Sequence, residues 1–422
     1  MSKKFTSFVF YLLGLSTLVG FFCQVFLVVS YPFFMVAVFA LAALVQIIDP
    51  AVFNVKYSFP KYAGYFALFV LYTIISDVFI AGRSLSIKYF YGNELLGSLL
   101  ALLVVENYKN YNPKILNNHH FIFIVTIIAA LVVILIQQTF DEMFFVFEER
   151  VEMELGQYDV TENRLPSIFS WTGNLDIGFV FIPMLCLVTG YLLNKKKKSA
   201  PFYFIIGAIV VFLSRNRWIM VNYLVMFFMY ATYYRTSLKN FIKYSLGIIA
   251  TLYIALTILS WANVPVQQII DNRILEKSQG GLGEGSAGSR IVAIQVFTQL
   301  FPKNMLIGKG MLHGFGGESK DYELVRELAG RSSQIHIGYL SLLYYYGLVG
   351  GFLYLTFIVL ITRKLYRDAK TTYYWGPFFG FLGLVLANFT LVSLSFFNAG
   401  LILCLFFNQV YLNRHNYLLQ TR

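Results

Sequence analysis

The chain is a succession of apolar runs of about 20 residues separated by short polar turns. A helix needs about that length to cross the ~30 Å hydrocarbon core of a bilayer. Twelve spans are predicted: 5–22, 25–47, 62–80, 87–105, 120–138, 171–193, 200–214, 217–234, 241–261, 334–361, 372–392 and 395–412. Within a bilayer each backbone N–H and C=O must find its partner inside the protein, so runs this long are helices. The expected fold class is therefore all-α: a single polytopic membrane bundle over residues 1–422, with about 12 transmembrane helices. Two interruptions are long, residues 139–170 and residues 262–333.

Composition supports the same class. The chain is 58% apolar with a mean hydropathy of +0.65, and only 13% of it is charged. A soluble domain carries about 25%. A net charge of +12 could suggest a nucleic-acid partner, but the distribution argues for topology instead. With the N-terminus in the cytoplasm, Lys195–Lys198, Arg363, Lys364, Arg367 and Lys370 fall on the inner face, and most carboxylates fall outside. That is the expected positive-inside asymmetry. Both termini are then cytoplasmic and both long loops are outside. No nucleic-acid partner is needed. All three cysteines lie in apolar segments and imply no disulfide framework.

The loop 139–170 is rich in acidic residues from Asp141 to Glu162 and reads as a solvated acidic cap. The loop 262–333 is more structured. A glycine-rich stretch, "SQGGLGEGSAGSR", leads into "RIVAIQVFTQLF", then "PKNMLIGKGMLHGFGG", then a charged amphipathic "SKDYELVRELAGR". Ile291, Ile294, Phe297 and Phe301 recur at helical spacing beside Val292 and Leu300. Such a helix lies on the membrane or packs on the bundle. A long outer loop with its own helices suggests a site or a lid.

Against this apolar background a few residues carry chemistry. In "LSRNRWIMVNYL", Arg215 and Arg217 interrupt an apolar stretch. From Lys198 to Arg215 a helix rises only about 25 Å, short of the hydrocarbon core, so the pair lies at a tight hairpin near the outer interface. Anchoring beside Trp218 is one reading of the pair. The other is an anion site, because guanidinium is permanently charged and binds phosphate through paired donors. Arg290 opens the loop helix, where free backbone N–H groups also favour anions. His313 lies in the outer loop. His336 begins the run "QIHIGYLSLLYYYGLVGGFLYLTFIVLIT". From Ile335 to Thr362 that run would extend about 42 Å as a helix, so its first turns protrude, tilt or break at Gly347. A histidine there suits a general base acting on a hydroxyl, and equally a plain hydrogen-bonding residue. The sequence holds no metal-ligand cluster, no phosphate-cradling P-loop and no serine nucleophile elbow. Asp77, Glu94 and Asp176 lie in or at the ends of spans, which keeps proton-coupled transport open.

Three of these stretches resemble the bacterial O-antigen ligase and polymerase superfamily, which includes the Wzy-type polysaccharide polymerases. "LSRNRW" is similar to the family's SR-containing motif at the outer end of a mid-chain span. "GSAGSRIVAIQVFTQLFPKNMLIGKGMLHGFG" is similar to its GSR opening, short helix, proline and glycine pattern. "IHIGYLSLLYYYGLVGGFLYL" is similar to its histidine-led segment, with Ile337 where an asparagine is usual. The resemblance implies a glycosyltransferase C-like bundle with a catalytic outer loop. It also implies a saccharide donor on undecaprenyl pyrophosphate and inverting transfer without metal or cofactor. In that light His336 is the base, and Arg215 and Arg290 are the cations on the pyrophosphate. Arg217 matches no family position; with His313, Tyr339 and Trp218 it is a candidate for substrate binding.

The implied function is polymerisation of lipid-linked repeat units into a surface polysaccharide such as O-antigen or capsule, outside the cytoplasmic (inner) membrane. Expected partners are the lipid-linked oligosaccharides, membrane lipid and a chain-length regulator. An O-antigen ligase acting on lipid A core is the alternative within the family. A polysaccharide-unit flippase is the alternative from another class, although it would place its charges in a central cavity between related halves. The cell-wall glycan polymerases are less well matched, because their acidic motif is not evident.

Overall fold

A computed structural model describes residues 31–48, 59–85, 94–108, 112–140, 180–234, 238–261, 264–271, 286–311, 337–389 and 394–420, with parts of 5–19 and of 165–168. Among these residues the chain is all-helical. The principal helices are α1 (Tyr31–Ile48), α2 (Lys61–Ile75), α3 (Glu94–Glu106), α4 (Pro113–Phe140), α5 (Ile182–Asn194) and α6 (Ala200–Leu213). They continue with α7 (Arg217–Tyr234), α8 (Leu238–Trp261), α9 (Ser286–Leu300), α10 (Gly338–Thr372), α11 (Gly376–Ala387) and α12 (Leu394–Gln420). A π-helical turn, Ser76–Ile80, extends α2. Among the described residues three stretches are long and apolar enough to cross a membrane: Lys61–Ile80, Pro113–Thr139 and Gly338–Thr372. Six shorter apolar helices accompany them.

α4 has an apolar outer face as well as an apolar inner one. Phe123, Ile127, Ala130 and Ile134 are buried, whereas Phe121, Val125, Ile128, Val132 and Ile136 are exposed along the opposite side. In water that second stripe would be polar. An apolar exterior around a buried core is what a hydrocarbon surround requires.

α5 stands at the centre, with every residue from Ile182 to Leu193 buried. It packs along α11 and also meets α4, α6, α7 and α12. In lipid, apolar burial gives helices no reason to associate, so close backbone approach has to supply the attraction. Glycines permit it here. A Cβ on Gly376 would stand 2.7 Å from Cys186 O, and one on Gly190 would stand 2.8 Å from Gly376 N. α10 packs along α2, and α12 along α3 and α11.

Contacts between helix ends sort the bundle into two poles. At one pole, Asn117 near the start of α4 accepts from Lys195 Nζ (3.1 Å) just past the end of α5. Asn194 Nδ2 donates to Tyr373 O (3.0 Å) just past the end of α10. This pole carries the lysine run. At the opposite pole lie the end of α4, the α6–α7 turn, the start of α10 and the end of α11. Among the described helices, α4, α5, α6, α10 and α11 each run from one pole to the other.

Several boundaries move. α4 begins at Pro113, before the predicted 120, and His119 and His120 are fully buried within it. His119 lies between Ile115 O and Tyr11 O, and Gly14 leaves room for its ring. His120 stacks on Tyr191 at 3.9 Å. α10 runs on to Thr372, carrying Arg363, Lys364, Arg367 and Lys370 on helix.

Candidate functional site

The α6–α7 turn consists of Ser214, Arg215 and Asn216, all buried. α6 closes with Ser214 N donating to Val210 O and Arg215 N to Phe212 O; α7 opens with Met220 N donating to Asn216 O. Arg215 adopts the left-handed conformation, φ 58°. That backbone costs a non-glycine residue roughly 1–2 kcal/mol. The side chain is only 3% exposed, and Nη2 donates to Gln138 Oε1 at 2.7 Å. Burying a guanidinium is costly unless its donors find partners, and Gln138 supplies one of them. The corner thus fixes a permanent positive charge at the pole opposite the lysine run.

Gln137, the neighbour of Gln138, anchors a second segment. Its Oε1 accepts from Ser167 N (2.9 Å), and Ser167 Oγ reaches down to Ala130 O (2.7 Å). Leu165 and Ser167 are buried. The end of the 139–170 loop therefore turns back into the bundle, where an external cap was expected throughout. Its acidic residues, Asp141 to Glu162, lie outside the described residues.

α10 is broken. Gly347 has φ 62° and ψ −166°, a combination for which glycine is needed. The break frees backbone groups that would be costly in an apolar surround, and a strap from the large loop, residues 305–311, satisfies them. Met305 O accepts from Leu348 N (2.9 Å), Leu306 O accepts from Val349 N (3.1 Å), and Gly310 N donates to Tyr345 O (2.8 Å). Gly308 and Gly310 also have positive φ. A Cβ on Gly308 would stand 2.3 Å from Tyr345 O, and one on Gly310 would stand 2.5 Å from Ser76 O. On the α2 side, Tyr72 Oη donates to Ile307 O (2.8 Å) and Met311 N donates to Asp77 Oδ1 (2.8 Å). Asp77 also faces Arg83 at 3.8 Å. The carboxylate that suggested a proton relay serves as an acceptor that clamps this strap.

Lys309 lies between the two strap glycines, half-buried, with Nζ 5.8 Å from the centre of the Tyr344 ring. Burial, and then the nearby Lys303 charge, lower its ammonium pKa below the usual lysine value. Upstream of the strap, α9 buries Val296 and Leu300 and exposes Ile291 and Ile294. Phe297 stacks on Phe301 at 4.6 Å. One face of α9 thus packs on the bundle and another faces outward.

Of the sequence-predicted site residues, Arg215 and Tyr339 are described in full. Tyr339 is in the first turn of α10; its hydroxyl donates to Val385 O (2.9 Å) on α11, and its ring meets Phe389 at 4.8 Å. Arg217 and Trp218 open α7 and Arg290 is in the first turns of α9, but their side chains lie outside the described residues. His313 and His336 lie outside them altogether. His336 immediately precedes Ile337, the extended residue that caps α10 (φ −134°, ψ 111°). Sequence reading missed Gln137, Gln138 and Lys309. Two adjacent amides ending an apolar run, and a lysine flanked by glycines, were the available signals.

Residues 202–355, roughly a third of the chain, match the family described as O-antigen ligase. The matched stretch contains Arg215, Arg217, Arg290, His313, His336 and Tyr339. No curated protein matches the chain significantly.

Proposed function

We propose, from the chain's membership of the O-antigen ligase and polymerase superfamily, that it polymerises oligosaccharide repeat units carried on undecaprenyl pyrophosphate. A role in assembling polysaccharide at a membrane follows from the family match together with the apolar helices. The finer reading rests above all on Arg215, a buried cation held by a left-handed turn and Gln138, within the matched segment.

In this mechanism His336 takes the proton from an acceptor sugar hydroxyl as that oxygen attacks the anomeric carbon of the donor. The bond from that carbon to the pyrophosphate oxygen breaks on the opposite face, inverting the centre. Arg215 and Arg290 stabilise the negative charge that builds on the leaving group, and a preorganised cation is most effective where water is excluded. Arg217, Trp218 and His313 contact the substrate. Tyr339, whose hydroxyl is engaged by Val385, contributes its ring. The pole opposite the lysine run faces outward from a bacterial inner membrane, both termini are cytoplasmic, and a chain-length regulator acts alongside.

The family description favours a second reading, transfer of a finished chain to lipid A core by a ligase. One reconstituted assay separates them. Purified protein receives the lipid-pyrophosphate-linked repeat as its sole sugar substrate, beside a His336→Ala variant. A product ladder from the wild type alone supports polymerisation with His336 as base. A single capped product that requires lipid A core supports the ligase. No product in either arm refutes both.

A further inference from the structure

The outward side of α10 changes character along a single face. Phe352, Leu355 and Val359 are exposed, and so are Arg363, Tyr366 and Lys370. Each member of the second set follows one of the first by eleven residues, close to three helical turns, so both sets share one side of the helix. An exposed apolar face requires hydrocarbon around it, whereas cations and a tyrosine ring on that same face require headgroups or water. The change falls within the turn between Val359 and Arg363. That turn marks the edge of the hydrocarbon, and the residues just past it stand at headgroup depth.

The surroundings agree. Lys370 Nζ lies 4.6 Å from the centre of the Tyr366 ring, which meets Trp375 at 5.8 Å and Phe378 at 5.5 Å. Tyrosine and tryptophan collect at membrane interfaces. The lysine run adjoins this stripe, because Asn194 Nδ2, directly before Lys195, donates to Tyr373 O. Lys195 is engaged by Asn117 and Tyr191, and Lys196, Lys197 and Lys198 are exposed. The nearby carboxylates, Glu106 and Asp368, turn inward onto Lys364. Arg367 stands 3.8 Å from Asp368 Oδ1, yet its side chain is 78% exposed. Among the described residues of the α5–α6 turn and the last turns of α10, no carboxylate is exposed.

We infer that Arg363, Arg367 and Lys370, with the adjoining Lys196–Lys198, form a binding surface for anionic phospholipid headgroups. Basic side chains at the edge of a bilayer draw anionic lipids, each cation adding to the attraction. Depth selects lipid over an acidic protein segment, since the apolar face of α10 leads straight into the cations. The surface fixes the depth of the long arm of α10 beyond the Gly347 break. It lies at the pole opposite the Arg215 corner and stands independently of the polymerase reading.

The test uses full-length protein in phosphatidylcholine vesicles that carry a trace of spin-labelled phosphatidylglycerol or spin-labelled phosphatidylcholine. Electron spin resonance reads the fraction of label held at the protein surface. Wild type should prefer the anionic lipid about fivefold at low salt and lose most of that preference at high salt. The triple variant Arg363→Gln, Arg367→Gln, Lys370→Gln should fall to near parity, and Arg363→Lys, Arg367→Lys, Lys370→Arg should retain the preference. A second triple in the exposed turn, Lys196→Gln, Lys197→Gln, Lys198→Gln, should reduce it about twofold. No preference in the wild type, or one that survives both glutamine triples, overturns the inference. Equal loss in the charge-conserving triple also overturns it, because the effect then follows from altered packing. A wild type without lipid preference that binds a polyglutamate peptide through the same cations overturns it in favour of an acidic protein partner.

Discussion

The two poles of the bundle are held together by different means. At the lysine-rich pole, side chains do most of the joining. His120 stacks on Tyr191, Tyr374 stacks on Tyr411 at 3.7 Å, and Lys364 bridges Asp368 (2.7 Å) and Glu106 (3.7 Å). Asn408 Nδ2 adds a bond to Asp368 Oδ2 (2.8 Å). At the opposite pole the backbone does it. The strap, the Gly347 break and the returning segment at Ser167 all hydrogen-bond through main-chain groups. Left-handed residues occur at both poles, but Lys196 and Tyr373 lie just past the ends of α5 and α10, where such conformations are common. Arg215, Gly308, Gly310 and Gly347 instead shape the neighbourhood of the candidate site. Non-helical backbone at membrane depth requires dedicated partners, and its concentration at one pole marks where the molecule departs from a plain bundle.

Changing each pole in turn sharpens this contrast. The largest effect on activity is expected from Arg215→Lys, which keeps the charge but loses the planar fork. Turnover should fall roughly a hundredfold with the fold intact, as measured by initial rates on lipid-linked repeats. A residual rate close to wild type would mean that the corner is only an anchor. The largest effect on stability is expected at the other pole. Lys364→Ala leaves Glu106 and Asp368 without their shared cation and should cost about 3 kcal/mol, seen as a lower unfolding midpoint in detergent, with KM unchanged in the surviving protein. Gly347→Ala forces a Cβ to within 2.3 Å of Leu306 O at an unfavourable φ. It should cost about 2–3 kcal/mol and also slow turnover, because the start of α10 is redirected. Ser167→Ala, which loses only the bond to Ala130 O, should cost about 1 kcal/mol, read as faster hydrogen exchange near residue 130.

Much of the scaffold was legible in the apolar runs. α6 and α7 coincide with the predicted spans almost to the residue, because Lys198 and Arg215 bracket one and Arg235 ends the other. For α10 the apolar run was too long for a bilayer and allowed protrusion, tilt or a break at Gly347; the break is found, whereas the extension to Thr372 was not foreseen. The start of α4 before residue 120 was not legible because "NNHH" is polar; Asn117 and Asn118 are exposed, while ring stacking and carbonyl partners hold His119 and His120 inside. At the site, the sequence exposed Arg215 as an anomaly but gave no hint of Gln138 as its partner.

For the described residues, the sequence by itself determined most helix positions and set one cation, Arg215, apart from the basic runs. These follow from local length, local hydropathy and charge. Tertiary structure alone decided which groups meet. Met311 and Asp77 are 234 positions apart, and Tyr72 and Ile307 are 235. In a soluble helix the apolar stripe reveals the inward face. Here α4 is apolar all round, so periodicity no longer tells the lipid side from the core. Partner choice then depends on glycine clearances and on freed backbone groups, and both of these exist only once the helices have come together.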